Sequence, residues 1–370
     1  MQRSHKIRMY PTREQEVQLL KTAGTARYAF NWALDRWKSM YEEVEKGLSD
    51  VKPTAFILSG IWTREKPSWA CETARCAQQQ AIMNVGVAFK NLWKGHCSYL
   101  KFKKKGHRDS FYIQNSKAWI KGKTISLPKI GKIKLAEPLR FPGKIISYTV
   151  STYAGQWHVS VQVDTPDQSR CSAPDSVVGI DAGLKHIATA SDGSVLDAPR
   201  KLSRLQINLR NAQRKLSRKQ KRSRNYTKQL LRKQKIQNKI DNIRKDAVHK
   251  YTSAITKSHG TVVVESLDIK GMREQASKGL RRSLASSMMS ELIRQLEYKA
   301  LRVVKVDRYF PSTKTCSSCG HVQDVSLDER TFRCEACRFT CDRDLNASYN
   351  LMKAGQVMPV VPVEAAGTGC

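Results

Sequence analysis

The sequence predicts a mixed α/β protein that folds as several domains. In roughly the first quarter of the chain, apolar residues recur every three or four positions, as in amphipathic helices. β-branched and aromatic residues then form short alternating runs, broken by Pro and Gly, over residues 110–164. From residue 176 onward, apolar strands and amphipathic helices follow one another. A chain of 370 residues is long enough for two or three packed units.

The N-terminal region is predicted to begin with a strand and to continue as helices. Residues 1–10 are typical of a short strand, and the capping-box pattern from Thr12 to Gln15 marks the start of a helix. Gly24 is expected to end that helix, because glycine is unfavourable in helix interiors. Further amphipathic helices follow, so residues 11–96 form a predicted helical unit.

The rest of the chain is predicted to contain two further units. Residues 110–164 suit a small antiparallel barrel or sheet, and residues 176–198 suit three short strands. Residues 201–250 hold 18 Lys or Arg and only two acids. Two apolar stripes predict a helical hairpin over residues 201–257, turning near residues 222–226. A solvated helix face ordinarily mixes charges of both signs, so this excess favours contact with a polyanion.

Without the hairpin and a later cysteine cluster, residues 176–354 have the element order of an RNase H-like fold: three strands, then helix, strand, helix, strand, helix. Asp181 ends the first strand, Glu265 ends the fourth, and Asp344 opens the last helix. Each acid alone would be read as a turn residue or helix cap. Together they can share one pocket and bind Mg²⁺ or Mn²⁺, whose paired ions, roughly 3.5 to 4 Å apart, support phosphodiester hydrolysis.

A second acid near the last helix makes the choice of third ligand a separate question. Asp342 precedes the helical run and is predicted to be an N-cap that accepts the backbone N–H of Asp344 or Leu345. Asp344 shares a helix face with small and apolar residues, so it is the predicted ligand. Arg343 lies between the two acids and is a candidate contact for the scissile phosphate, with an exposed side chain as the alternative.

The cysteines indicate a structural zinc site. Cys316, Cys319, Cys334 and Cys337 form two CxxC pairs with fourteen residues between them, the spacing of two zinc knuckles. A redox CxxC site would need one pair beside a thioredoxin-like pattern, which does not fit this sequence. Cys341 is expected to be packed or free, because four thiolates complete the tetrahedron around Zn²⁺.

The overall charge points to nucleic acid as the partner. Lys and Arg number 66 against 32 Asp and Glu, which gives a formal net charge of +34. A chain this basic repels itself unless a polyanion neutralises it. No run of about 18 apolar residues occurs, and the first residues lack an apolar signal region. We therefore expect a cytoplasmic protein with no membrane segment.

Four strings carry a family resemblance: VVGIDAGLKHIATASDG, TVVVESLDIKGM, YFPSTKTCSSCG and CDRDLNASYNLM. They resemble the TnpB proteins of bacterial and archaeal insertion sequences, which are relatives of the type V CRISPR effector nucleases. The likeness covers nearly the whole chain. It implies an RNA-guided DNA endonuclease that binds a transposon-derived guide RNA, called omega RNA, and cuts target double-stranded DNA beside a short element-adjacent motif. It also implies a monomer or weak oligomer within the ribonucleoprotein.

The resemblance further implies a domain arrangement with a RuvC nuclease domain. It comprises a β-barrel-like wedge domain (1–10 and 97–170), a helical recognition domain (11–96), the RuvC domain (171–311 and 341–354), a zinc-ribbon insert that binds target nucleic acid (312–340) and a C-terminal tail (355–370).

Several basic and polar residues are candidate nucleic-acid contacts. The resemblance points to Arg75 and Gln79 as readers of the adjacent motif, although an Arg or Gln on a helix is usually only solvated. The charge pattern of the hairpin points to phosphate contacts. These candidates are Lys215, Arg218, Lys219, Lys221 and Arg222.

Two other functions compete with a guided nuclease. An RNA-guided DNA-binding repressor would not cut, but it would have no reason to keep three acids beside bound phosphates. A DDE transposase would present its acids in the order Asp, Asp, Glu. Here the order is Asp181, Glu265, Asp344, which resembles RuvC.

Overall fold

Two units make up the structure. The computed structural model describes residues 2–106, 109–166, 171–184, 186–286, 288–326 and 329–357. The first unit is Met1–Asp167 and the second unit is Gln168–Cys370. The protein is therefore a mixed α/β chain of more than one domain, as the sequence predicts, while the finer domain boundaries stay predictions.

The first unit contains a seven-stranded antiparallel sheet in the order β2-β6-β7-β1-β5-β4-β3. The strands are β1 (Gln2–Tyr10), β2 (Ser110–Gln114), β3 (Trp119–Lys121), β4 (Thr124–Leu127), β5 (Gly131–Leu135), β6 (Lys144–Tyr153) and β7 (Gln156–Asp164). Buried and less buried residues alternate along β1 and β7, which is the pattern of strands with one face on a core. Since β1 pairs with both β7 and β5, the first ten residues and the later β region share one sheet.

Three α-helices cover the core of the first unit: α1 (Arg13–Glu45), α2 (Ala55–Glu65) and α3 (Arg75–Trp93). The capping box is present, because the Thr12 side chain accepts the N–H of Gln15 while the Gln15 side chain accepts the N–H of Thr12. Trp37 of α1 stacks on Phe89 of α3 with ring centroids 4.6 Å apart. These helices and the sheet bury one continuous hydrophobic core.

The predicted break at Gly24 is wrong, because α1 continues through it without interruption. Glycine costs about 1 kcal/mol relative to alanine inside a helix. α1 has 33 residues, and its buried side chains from Leu19 to Met40 pack on the core, which offsets this cost. Packing therefore outweighs the local preference of one residue.

The second unit is built on a five-stranded sheet in the order β10-β9-β8-β11-β12. Its strands are β8 (Val177–Asp181), β9 (Ala188–Ala190), β10 (Val195–Leu196), β11 (Thr261–Glu265) and β12 (Arg302–Val306). β8, β11 and β12 are parallel, whereas β9 and β10 run antiparallel to their neighbours. The parallel strands β8 and β11 are apolar and almost wholly buried, as strands covered on both faces must be.

The helices of the second unit follow the predicted order, with two additions. They are α4 (Lys201–Ser217), α5 (Arg224–Ser258), α6 (Ile269–Gln275), α7 (Lys278–Ser286), α8 (Met289–Lys299) and α9 (Arg343–Val357). The short helices α6 and α7 were not predicted. α4 and α5 form the predicted hairpin, and its turn, at residues 218–223, lies slightly earlier than expected. No helix in the described ranges is long and apolar enough to span a bilayer.

Two glycines let α9 pack directly on the sheet. A Cβ at Gly179 of β8 would overlap the carbonyl oxygen of Ser348 and would lie 2.5 Å from the backbone nitrogen of Met352. A Cβ at Gly355 would overlap the side chain of Val263 in β11. α9 also includes residues 355–357, which the sequence assigns to the C-terminal tail. The rest of the predicted tail, residues 358–370, lies outside the described residues.

We predict that Gly179→Ala destabilises the second unit by about 1–3 kcal/mol or more, because the added methyl group forces α9 away from β8. Urea unfolding followed by circular dichroism would measure the loss. Gly279→Ala in α7 is the matched control, since nothing lies within 4 Å of its Cβ position and alanine favours helix. Equal stability of the Gly179→Ala variant and the wild-type protein would contradict the proposed close packing.

Candidate functional site

The sheet of the second unit places two of the predicted acids at one edge. Asp181 is the last residue of β8, and Glu265 is the last residue of β11. The two strands are adjacent and parallel, and Ile180 pairs with Val264, one residue before each acid. Both carboxylates therefore leave the sheet at the same end of neighbouring strands, as the sequence predicts.

Asp344 reaches the same region from the first turn of α9, the helix that packs on β8. Asp344 and Glu265 both lie close enough to Asp181 to act on its pKa. Burial, together with the negative charges of these two acids, raises the pKa of Asp181 to about 7. Arg343 and the N–H of Ala182 oppose this shift. Burial also raises the pKa of Glu265.

This arrangement is unfavourable for three ionised carboxylates unless a cation lies between them. Like charges in a partly buried pocket each disfavour the ionised state of the others. A divalent cation would remove that repulsion, and carboxylate oxygens are the ligands that Mg²⁺ and Mn²⁺ prefer. The donor set of Asp181, Glu265 and Asp344 thus fits such ions chemically.

Asp342 has the predicted capping role. Its carboxylate accepts the backbone N–H of Asp344 at 2.9 Å and that of Leu345 at 3.2 Å. Asp342 is exposed, whereas the Asp344 side chain is only 15% exposed and lies toward the pocket. The structure thus separates the two acids into a helix cap and a pocket residue.

Arg343 is largely buried rather than exposed. Its guanidinium lies 3.4 Å from Asp344 Oδ1 and donates to the carbonyl oxygen of Ser326 at 3.5 Å. Its side chain is 13% exposed. Arg343 therefore orients Asp344 and brings one positive charge to the edge of the acidic pocket.

The four predicted zinc ligands come together. Their sulfur atoms all lie within 4.8 Å of one another, and the Sγ atoms of Cys316 and Cys337 are 3.7 Å apart. The N–H of Cys337 donates to the sulfur of Cys334 and lowers its pKa, which favours the thiolate that a metal requires. Within the described ranges, no other group of three or more His, Cys, Asp or Glu is brought together closely enough to hold one ion.

The two CxxC pairs have matching backbone turns. The N–H of Gly320 donates to the carbonyl of Cys316, and the N–H of Arg338 donates to the carbonyl of Cys334. Gly320 and Arg338 both have positive φ, 80° and 59°. Each turn thus reverses just after its second cysteine, which turns both pairs of thiols toward one point. This geometry fits a tetrahedral Zn²⁺.

Cys341 lies outside this group, as predicted. It belongs to the small hairpin of β13 (Thr331–Arg333) and β14 (Thr340–Asp342), and it packs near the buried Phe332. Burial, with the charge of Asp342 nearby, raises the pKa of Cys341 to about 11. The sulfur of Cys341 is not one of the four that lie within 4.8 Å of one another.

Sequence reasoning missed a clamp between α9 and the first cysteine turn. Buried Asn346 accepts the N–H of Ser317 at 2.9 Å and donates to the carbonyl of Thr315 at 2.7 Å. Asn350 donates to the same carbonyl at 2.6 Å, and Lys353 donates to the carbonyl of Ser317. The signal in the sequence was the spacing of four and three residues, which puts these polar side chains on one helix face.

The remaining candidates lie on the surface of their units. Arg75 is the first residue of α3 and is exposed, and Gln79 lies one turn later and is partly buried. Their neighbour Gln78 is a core residue that accepts from Trp62 Nε1 and donates to the carbonyl of Ala70. All five candidates of the hairpin, at the end of α4 and in the turn that follows, are exposed: Lys215, Arg218, Lys219, Lys221 and Arg222.

Three families match parts of the chain. OrfB_IS605, described as "Probable transposase", matches residues 158–276, and "Cas12f1-like, TNB domain" matches residues 290–351. "Helix-turn-helix domain" matches residues 1–46. The described part of that last segment holds β1 and the single helix α1, so it does not form a helix-turn-helix.

Several known proteins are similar over most of their length. InsQ of Escherichia coli (strain K12), which bears the name "Putative RNA-guided DNA endonuclease InsQ", is 31% identical over 373 residues, covering 95% of this chain and 92% of InsQ. A protein of Streptomyces pristinaespiralis with the same type of name is 31% identical, covering 96% of this chain and 90% of its own. A solved Cas12f1–sgRNA–target DNA complex is 18% identical with a TM-score of 0.34, covering 96% of this chain and 100% of the Cas12f1 chain.

We predict about one zinc ion per chain in the purified protein, because four thiolates lie close enough to share a single ion. Cys334→Ser should lose most of the bound zinc and lower the stability of the cysteine region, which elemental analysis and limited proteolysis would detect. Cys341→Ser is the matched control and should keep its zinc, since Cys341 stands outside the ligand group. Folded wild-type protein without zinc, or loss of zinc in the control, would contradict the site.

Proposed function

Because the chain belongs to the TnpB family of RNA-guided DNA endonucleases, we propose that it cuts its target DNA at the acidic edge of the second unit's sheet, with Asp181, Glu265 and Asp344 as metal ligands. One observation carries this proposal. Asp181 and Glu265 end adjacent parallel strands and Asp344 opens the helix that packs on β8, so acids from distant parts of the sequence lie at one edge of the sheet. A carboxylate with a raised pKa beside other acids, as at Asp181, is typical of a functional site.

Phosphodiester hydrolysis at such a set of carboxylates would use two ions. When bound, a pair of Mg²⁺ or Mn²⁺ ions would activate the attacking water and stabilise charge on the leaving oxygen. Asp181, Glu265 and Asp344 would hold these ions.

The other residues of the pocket would position these ligands. Asp342 fixes the start of α9 by accepting two backbone N–H groups, and Arg343 pairs with Asp344. In the complex with DNA, we propose that the Arg343 guanidinium contacts the scissile phosphate beside the ligands. Arginine suits this role because it stays charged and binds phosphate oxygens through several N–H groups.

The cysteine region would support the same pocket. Four thiolates would hold a structural Zn²⁺ and fix the turn that contains Thr315 and Ser317. Asn346, two residues beyond Asp344, and Asn350 attach that turn to α9. In this proposal the zinc ribbon both contacts target nucleic acid and holds α9 in place.

The partners of an RNA-guided DNA nuclease are a guide RNA and a DNA target, and we assign regions of the chain to them. The sheet of residues 1–10 and 97–170 would be the wedge domain, and residues 11–96 the recognition domain with Arg75 and Gln79 near the adjacent motif. The second unit would be the RuvC domain with its zinc-ribbon insert. The exposed cations of the α4–α5 hairpin would bind phosphates of the guide RNA.

We predict that Asp344→Asn abolishes guided DNA cleavage while RNA binding is unchanged, because the amide removes one charged metal ligand from the pocket. Asp342→Asn is the matched control. It should keep cleavage, since asparagine caps helices as well as aspartate does. Cleavage assays in Mg²⁺ with the guide RNA, and melting curves of both variants, would test the pair.

Two results would overturn this assignment. One is cleavage by the Asp344→Asn variant at the wild-type rate. The other is loss of cleavage by an Asp342→Asn variant whose melting curve matches that of the wild-type protein. Asp342→Ala, by contrast, should cost about 1 kcal/mol of stability, because alanine cannot accept the two N–H groups.

We predict that replacing the five exposed cations of the hairpin with glutamine weakens guide-RNA binding and reduces its salt dependence. Each lost phosphate contact should lower the slope of log K against log salt by about 0.7 to 0.9. Filter binding at several salt concentrations would measure both quantities. An unchanged slope would place the RNA phosphates elsewhere. The substituted residues are Lys215, Arg218, Lys219, Lys221 and Arg222.

A further inference from the structure

A groove between the two helices of the hairpin has no role in the proposed cleavage chemistry. It has a volume of about 420 Å³ and lies within the second unit. α4 and α5 each contribute one face to it, through residues spaced three and four apart. The lining residues are Asn208, Asn211, Ala212, Lys215, Gln229, Arg232, Lys235 and Ile236.

The lining combines three kinds of chemistry and contains no acid. Ala212, which is buried, and Ile236, which is partly buried, supply apolar surface. Asn208 and Asn211 supply exposed amides from one face of α4. Three exposed cations complete the groove: Lys215, Arg232 and Lys235.

A hydrogen bond to the backbone of α4 holds the amide of Gln229 in place. Its Nε2 donates to the carbonyl of Ala212 at 3.0 Å, which joins the two helices. A side chain fixed in this way presents its remaining polar atoms at low entropic cost. Amides carry both donors and acceptors, so they can pair with the edge of a nucleobase.

These features do not suit a lone phosphate. A phosphate group needs cations and N–H donors, and it gains nothing from apolar surface or from amide acceptors. The groove is also of the size of small-molecule pockets, which begin at about 300 Å³. A flat base with a phosphate on each side uses all three kinds of lining: apolar surface for its ring, amides for its edge and cations for the phosphates.

We propose that the hairpin groove binds one unpaired nucleotide of the guide RNA, with Asn208 and Asn211 reading its base edge and the three cations contacting its flanking phosphates. The inference rests on the proposed function, which supplies a guide RNA to the hairpin. RNA is the chosen ligand because its unpaired bases are splayed out and read on their edges, and because amides also bind the 2′-hydroxyl. Single-stranded DNA lacks that hydroxyl.

The test uses the full-length protein and an in vitro transcript of the guide RNA that copurifies with it. The variant carries both Asn208→Ala and Asn211→Ala, which remove the amides without changing the net charge. Alanine favours helix more than asparagine does, so α4 should fold normally. The matched control carries Gln206→Ala and Gln213→Ala, two exposed amides of α4 outside the groove.

We expect the asparagine variant to bind the transcript about tenfold more weakly with an unchanged salt slope, since base contacts carry no counterion release. The control should bind as the wild-type protein does. Chemical probing of the complex should show a protected nucleotide that becomes reactive in the asparagine variant only.

Other outcomes would overturn the groove proposal. These are an affinity within about twofold of wild type, a salt slope that falls with the affinity, no newly reactive nucleotide, or equal competition by single-stranded DNA of the same sequence. Failure of the proposed function is seen separately. It would appear as cleavage by Asp344→Asn, a measurement that involves no residue of the groove.

Discussion

The close packing of α9 on β8 is the contact on which the rest of the second unit depends. Gly179 allows the backbone of α9 to touch the strand, and any side chain there would overlap Ser348. This contact sets the height of α9 above the sheet, and so it sets where Asp344 lies relative to Asp181. The cap at Asp342 and the clamp at Asn346 then fix the rotation and the start of the helix.

Charge gives the second constraint. A chain with a net charge of +34 gathers three acids at one sheet edge, where burial and mutual repulsion raise the pKa of Asp181 to about 7. Such a cluster weakens the fold unless cations offset it. In the α4–α5 hairpin the repulsion is between positive charges, and it persists until a polyanion binds. Both regions are therefore expected to reach their most stable state only with ions or nucleic acid present.

The sequence by itself determined the local features. The capping box at Thr12, the N-cap at Asp342 and the turns around Cys316 and Cys334 depend on residues three or four positions apart. Rules of spacing and propensity apply at that range, so these features were predictable. The order of strands and helices in the second unit was predictable for the same reason, and it placed Asp181 at a strand end.

Only the tertiary structure decided what depends on contacts between distant segments. Gly24 does not break α1, because packing of the whole helix outweighs one residue's preference. Arg343 is largely buried beside Asp344, and Asn346 is tied to a turn some thirty residues earlier in the chain. The groove beside Ala212 exists because two helices face each other. Sequence spacing carries no information about such distances, since they are set by how elements pack in three dimensions and not by neighbours along the chain.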